Sequence, residues 1–294
     1  MIFLKLIQRG KMKKLNYIGV LFSSLILFAM ATLASAEEST LDTVLKRGKV
    51  IVGVSSEAPP FGFIDDKGEL VGFDIDIAKL IANKMFGEDG HIEFLKQGFA
   101  ARWANANSGK IDFGIQITTV HSQRPTKVAF TRSYVDSGIV LVSKKGSGIN
   151  KIADANKSNI TVANLTVPAQ EERAKRLFPK AKLTVFDSTS AQFNAVRTGR
   201  ANAAQLDEPI ARWYVSQHDD VQVTEDWITP PTNNAVFTKL GDFTWWLVLD
   251  TYVNEMRNGS LYPQYAEIYK KWFGARPPHT KFWIEEQLKA KEGK

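Results

Sequence analysis

The chain has 294 residues, 44% of them hydrophobic, 23% charged and 11% aromatic, with a formal net charge of +7 and no cysteine. That composition belongs to an ordinary globular chain and excludes the disordered, collagen-like and disulfide-stapled classes. The lack of cysteine also excludes thiolate metal sites and cysteine nucleophiles.

At the N-terminus, Lys11, Lys13 and Lys14 precede an almost wholly apolar run at 15–33. Ala34-Ser35-Ala36 is a small-residue cleavage site, followed at once by Glu37 and Glu38. The pattern predicts a secretory signal peptide over 1–36, although the run is long enough to span a bilayer as an uncleaved anchor. Cleavage removes five basic residues (Lys5, Arg9, Lys11, Lys13, Lys14) and no acid, leaving 258 residues with a formal charge of +2. Most of the basicity therefore belongs to the targeting segment, which removes the ground for a nucleic-acid partner. The mature protein is expected to be exported and close to neutral.

Past the leader, short β-branched runs alternate with amphipathic stretches. Strands are predicted at 50–55, 91–95 and 111–117, with helices at 72–86 and 100–108 between them. In the first helix Phe73, Ile77, Leu80, Ile81 and Met85 fall near one face. An apolar run at 138–143 and a Lys-Lys-Gly-Ser-Gly punctuator at 144–148 close this series. The alternation then restarts, with strands at 160–163, 183–186 and 203–206 and helices at 170–178, 189–198 and 209–218. A Pro-Pro break at 230–231 precedes a strand at 235–238 and two closing helices, 243–258 and 263–273. Two successive β-α-β-α series imply an α/β protein of two lobes, each a mixed, mainly parallel sheet flanked by helices. Lobe 1 is expected over 37–138 and again over 233–294, where the last residues, 281–294, form a tail; lobe 2 is expected over 139–232.

Most catalytic signatures are missing: there is no Gly-x-Ser-x-Gly elbow, no phosphate-binding loop and no His-Glu-x-x-His. The four histidines, His91, His121, His218 and His279, show no ligand spacing, so neither a metal nor a cofactor is expected.

Gly72-Phe-Asp-Ile-Asp-Ile-Ala-Lys-Leu-Ile-Ala-Asn83 reads locally as a glycine turn entering a helix, with Asp74 and Asp76 near its positive end. Together with Ala-Pro-Pro-Phe-Gly-Phe at 58–63 and Lys-Gly-Glu-Leu-Val at 67–71, it resembles the signature of the family-3 extracellular solute-binding proteins, the periplasmic amino-acid-binding components of ABC importers. The resemblance covers roughly 40–275 and implies the type II periplasmic-binding-protein fold.

Ile111-Asp-Phe-Gly-Ile-Gln-Ile-Thr-Thr119 and Arg124-Pro-Thr-Lys-Val-Ala-Phe-Thr131 resemble that family's strand and the arginine block after it. By that resemblance Arg124 forks the ligand α-carboxylate, with Thr119 as a hydroxyl donor beside it and Ile117 lining the same pocket. A planar, permanently charged donor array suits this role. Gly199-Arg-Ala-Asn-Ala-Ala-Gln-Leu-Asp207 resembles the segment whose acid takes the ligand ammonium, which makes Asp207 that acid. Asp207 also suits an N-cap for the helix entered at Pro209.

Arg102 stands where members that bind acidic and polar amino acids place a pocket arginine, and Phe61 and Phe63 stand where members supply an aromatic wall. In the second lobe a Gly-Thr/Ser-Thr segment is replaced by Asn164-Leu-Thr-Val-Pro-Ala-Gln170, where Thr166 is the stand-in. The resemblance implies a monomer that captures a polar amino acid, with an acidic side chain the leading expectation from Arg102, and delivers it to a membrane permease. The alternative is a cyclohexadienyl or prephenate dehydratase on the same scaffold, with Glu57 or Glu208 as general acid.

Overall fold

The structure, a computed structural model, describes residues 38–87, 90–274 and 276–277. The expected signal peptide, His279 and the tail at 281–294 lie outside the described residues.

A first helix, α1 (Thr40–Arg47), leads into β1 (Val50–Val54), a small hairpin sheet of β2 (Glu57–Ala58), β3 (Gly62–Ile64) and β4 (Leu70–Val71), and the long α2 (Phe73–Phe86). Helix α2 starts where only glycine is tolerated: Gly72 has φ 140°, and a Cβ there would lie 2.1 Å from the carbonyl oxygen of Phe61. It stops at Gly87, whose left-handed backbone returns its N–H to the carbonyl of Asn83. Between these ends Phe73, Ile77 and Leu80 are buried as the spacing predicts, Ile81 with them.

Then follow β5 (Ile92–Lys96), α3 (Arg102–Asn107), β6 (Phe113–Gly114), the 16-residue β7 (Ala129–Lys144), β8 (Thr161–Leu165), α4 (Pro168–Leu177), β9 (Lys182–Phe186), α5 (Thr189–Arg197), β10 (Ala203–Asp207) and α6 (Glu208–Gln217). The chain closes with β11 (Val221–Val223), β12 (Thr229–Thr238), α7 (Phe243–Asn258) and α8 (Tyr262–Phe273).

The main sheet runs β5-β1-β6-β12-β7-β10-β8-β9, with β11 on β7. Pairs β1–β5 and β1–β6 at one end and β10–β8 and β8–β9 at the other are parallel. The crossing strands β7 and β12 pair antiparallel with each other and with their neighbours. One end of β7 pairs Ala129 with Thr238, and the other pairs Ile139 with Asp207, so a single strand carries the chain from one parallel set to the next.

Helix α1 and strands β2, β3, β4 and β11 lie where no element is predicted, and the apolar run at 138–143 is only the end of the longer β7. Two further differences have a local cause. The strand expected over 111–117 pairs only at 113–114, because the chain leaves the sheet at Ile117, which takes a φ of 37°. The Pro-Pro break at 230–231 falls inside β12: the ladder skips from Thr229↔Ile139 to Thr232↔Ser137, as two residues without an N–H require.

The core beneath β6 is tightly fitted. The Trp245 indole N–H donates to the Asp112 carbonyl (2.8 Å), the Thr238 hydroxyl donates to the same oxygen (2.8 Å), and Phe237 packs flat on Gly114. A Cβ at Gly114 would stand 2.0 Å from that ring, itself fully buried. Gly114→Ala is expected to destabilise the fold by about 1–3 kcal/mol through overpacking, seen as a lower urea midpoint at unchanged slope.

Candidate functional site

The chain's exit from the sheet at Ile117 builds the floor of a cleft. A β-branched residue at positive φ is strained, and here the strain is held from below: the Asp74 carboxylate accepts from the Ile117 N–H (3.1 Å) and the Tyr134 hydroxyl (2.7 Å). Burial without a cationic partner pushes the Asp74 carboxyl up to about 7, against the pull of those two bonds. Thr119, two residues on, bridges to Asn234 of β12. A single 3-10 turn, Arg124–Thr126, then begins with Arg124, which donates to the Thr119 carbonyl (2.5 Å). Arg102, the first residue of α3, lies almost fully buried over the rings of Trp103 (4.3 Å) and Phe99 (5.5 Å).

From the other parallel set comes Asp207, the last residue of β10. It occupies the N-cap position of α6, yet its side chain makes no capping hydrogen bond and accepts instead from Ser137 Oγ (3.2 Å). That geometry frees the carboxylate from helix capping and turns it to the cleft. Desolvation raises its pKa to about 6, while Arg173, Ser137, Arg124 and Arg102 pull the other way. Arg124 is lowered to about 10 by desolvation and Arg173, with Asp207 opposing, and stays charged at neutral pH.

Arg102, Ile117, Thr119, Arg124 and Asp207 thus meet on one cleft, with about 50 Å³ of free space between them. This opens past Phe99, His121 and Arg124 into a mouth of about 650 Å³. The other expected residues lie elsewhere. Phe61 belongs to the packed core, 5.9 Å from Phe73 and 5.6 Å from Phe273. Phe63 packs on Trp213 and Trp272 and lines a separate cavity near Ser190 and Tyr214. The aromatic surface at the cleft comes from Phe99 and Trp103 instead, because the turn leading into α3 carries Phe99 and α3 itself carries Trp103, both beside Arg102. Thr166 sits exposed at the mouth, bonded to Asp187 (3.0 Å), and does not reach the inner cleft.

Besides Phe99 and Trp103, two titratable residues escaped the sequence reading. His121 lines the cleft, and desolvation together with Arg124, Arg173 and Arg102 lowers its pKa to about 4, so it is neutral. Arg173 is buried on the inner face of α4 with Gln170 and Ala174. A charged residue at i, i+3, i+4 spacing with a buried helix face was the signal for it. Among the described residues no group of three or more His, Cys, Asp or Glu could hold a metal ion.

A family model described as bacterial extracellular solute-binding proteins, family 3, matches residues 50–275. The chain belongs to this family. The solute-binding protein is similar to the glutamine-binding protein of Geobacillus stearothermophilus, at 32% identity over 192 residues, covering 65% of this chain and 72% of that one. It is similar to the L-cystine-binding protein TcyJ of Escherichia coli K12, at 27% identity, covering 87% and 94%. Among solved structures it matches an ancestral amino acid-binding protein, a precursor of cyclohexadienyl dehydratase, with a TM-score of 0.73 and 30% identity, covering 80% of this chain and all of the other.

The fold is therefore the two-lobed type II periplasmic-binding-protein fold. The family binds solutes outside the cytoplasm, and this member is a binding protein rather than an enzyme. The two glutamates considered as general acids stand away from the cleft: Glu57 is exposed on the cavity beside Phe63, and Glu208 pairs with Arg212.

Proposed function

We propose that the protein captures a polar amino acid in the periplasm, after removal of a leader over 1–36, and delivers it as a monomer to an ABC permease. The observation that carries this reading is the placement of Arg124 and Asp207 across one cleft, each free to bond one end of a zwitterion. Lobe 1 would span 37–138 and 233–294 and lobe 2 139–232, so that the chain crosses between lobes within β7 and β12. Arg124 then lies on one lobe and Asp207 on the other, and only the closed state satisfies both ligand ends. Such differential affinity is what drives hinge closure.

About 50 Å³ of free space holds only a few water molecules. Entry of an amino acid requires the lobes to part, and β7 and β12 are the strands that would bend. The names of the glutamine- and cystine-binding relatives support an amino-acid ligand.

A thermal-shift screen against the twenty amino acids and prephenate tests the reading. At a ligand concentration of about 100 Kd, binding adds about 2.7 kcal/mol, which raises Tm by roughly 5–10 °C in a chain of this size. A selective rise with one or a few amino acids is expected; a response to prephenate alone would sink it.

A further inference from the structure

Three guanidinium groups face the cleft, Arg102, Arg124 and Arg173, against one carboxylate, Asp207. Each is oriented by a neutral acceptor. The Thr118 hydroxyl accepts from Arg102 (3.4 Å), the Thr119 carbonyl from Arg124 (2.5 Å) and the Gln205 side chain from Arg173 Nε (2.9 Å). Gln205 is itself fixed by a buried amide network. Its own side chain donates to Asn164, whose amide donates to the Val162 (3.0 Å) and Thr184 (3.3 Å) carbonyls, while Gln192 donates to the Gln205 backbone carbonyl (3.1 Å).

None of the three arginines makes a salt bridge among the described residues. Arg132, elsewhere in the molecule, shows the contrasting arrangement, in which both oxygens of Asp250 accept from the guanidinium. Neutral acceptors hold a guanidinium in place without cancelling its charge, and a desolvated cation left in that state is strongly unfavourable until an anion arrives. Arg102 is 4% exposed, and its Nε has no hydrogen-bond partner.

A zwitterion brings no net charge. Its carboxylate and ammonium satisfy Arg124 and Asp207 and leave Arg102 and Arg173 uncompensated. Building on the amino-acid reading above, we infer that the ligand carries a second anionic group, that this group is held between Arg102 and Arg173, and that Arg173 is the residue selecting a dicarboxylic amino acid over its amide. The two arginines sit on opposite parallel sets, in α3 and α4, so the second anion also ties the two sides of the cleft together.

Calorimetry of the purified protein with L-glutamate, L-aspartate, L-glutamine, L-asparagine and glutarate tests this. At least one acid is expected to bind about tenfold or more tightly than its own amide, since a charged pair contributes about twice what a neutral hydrogen bond does. Arg173→Gln is expected to weaken that acid about tenfold and the amide less than about threefold, while Arg173→Lys, which keeps the charge, retains the acid preference. Melting temperatures of both variants separate lost folding from lost selection.

An amide bound as tightly as its acid, or equal loss of acid and amide in Arg173→Gln with the fold intact, overturns the inference and leaves the amino-acid reading standing. Glutarate binding without any amino acid removes the amino-acid reading and keeps the two-anion site. Silence across the panel overturns both.

Discussion

Arg124→Ala weakens amino-acid binding by at least about tenfold, or 1.4 kcal/mol, when measured by calorimetry at neutral pH. The reason is the cost of an unpaired end. A charge-assisted hydrogen bond contributes about 1.5–3 kcal/mol, and truncating one partner of a desolvated pair costs about 2–5 kcal/mol because the other charge is stranded. Arg124 is already seated on the Thr119 carbonyl, so little ordering is lost when the ligand arrives. Unchanged affinity in this variant removes Arg124 from the carboxylate role.

Amino-acid affinity also falls as the pH drops below about 6, by up to tenfold per unit, and Asp207→Asn flattens that profile at a lower overall affinity. The carboxyl of Asp207 is raised to about 6 by desolvation, so at pH 5 most of the unliganded protein carries it protonated and unable to take an ammonium. His121, lowered to about 4, stays neutral across pH 5–8 and adds nothing to the slope there.

The same shift contributes to the pH dependence of stability, beside the buried Asp74 carboxyl, which is raised further, to about 7, and acts in the same direction. A carboxyl with a raised pKa in the folded state binds more protons there than in the unfolded chain, between its ordinary 3.8 and about 6. Its contribution is most favourable in acid and is lost as the pH rises through about 6, at a cost of about 3 kcal/mol in the unliganded protein near neutrality. A bound ammonium offsets that cost. An affinity independent of pH between 5 and 8 would falsify the assignment of Asp207 to the ammonium.

Strand and helix periodicity located most of the elements to within two residues, from the helix that begins at Phe73 to the one that ends at Phe273. Such patterns depend on neighbours two to four positions away, which a linear chain displays directly. The motif at 72–83 carried the family, and the arginine and aspartate blocks carried two residues that meet on the cleft. Their meeting across it was an expectation of the resemblance, which no local rule supplies.

Tertiary structure decided everything that depends on distant partners. Asp207 suits a helix cap by sequence, and only the fold presented Ser137, 70 positions earlier, as its hydrogen-bond donor and left α6 without that cap. Phe61 and Phe63 look alike in sequence, yet one meets Phe73 and the other Trp213, and neither reaches the cleft. Arg173 reads as one more charge on a polar helix until Gln205, 32 positions on, buries it beside Asp207. The chain's local patterns determined which elements form, because hydrophobic spacing and capping act over a single turn. The charge of the cleft emerged only when β7 and β12 brought together residues from both parallel sets, since electrostatics acts through space and desolvation strengthens it.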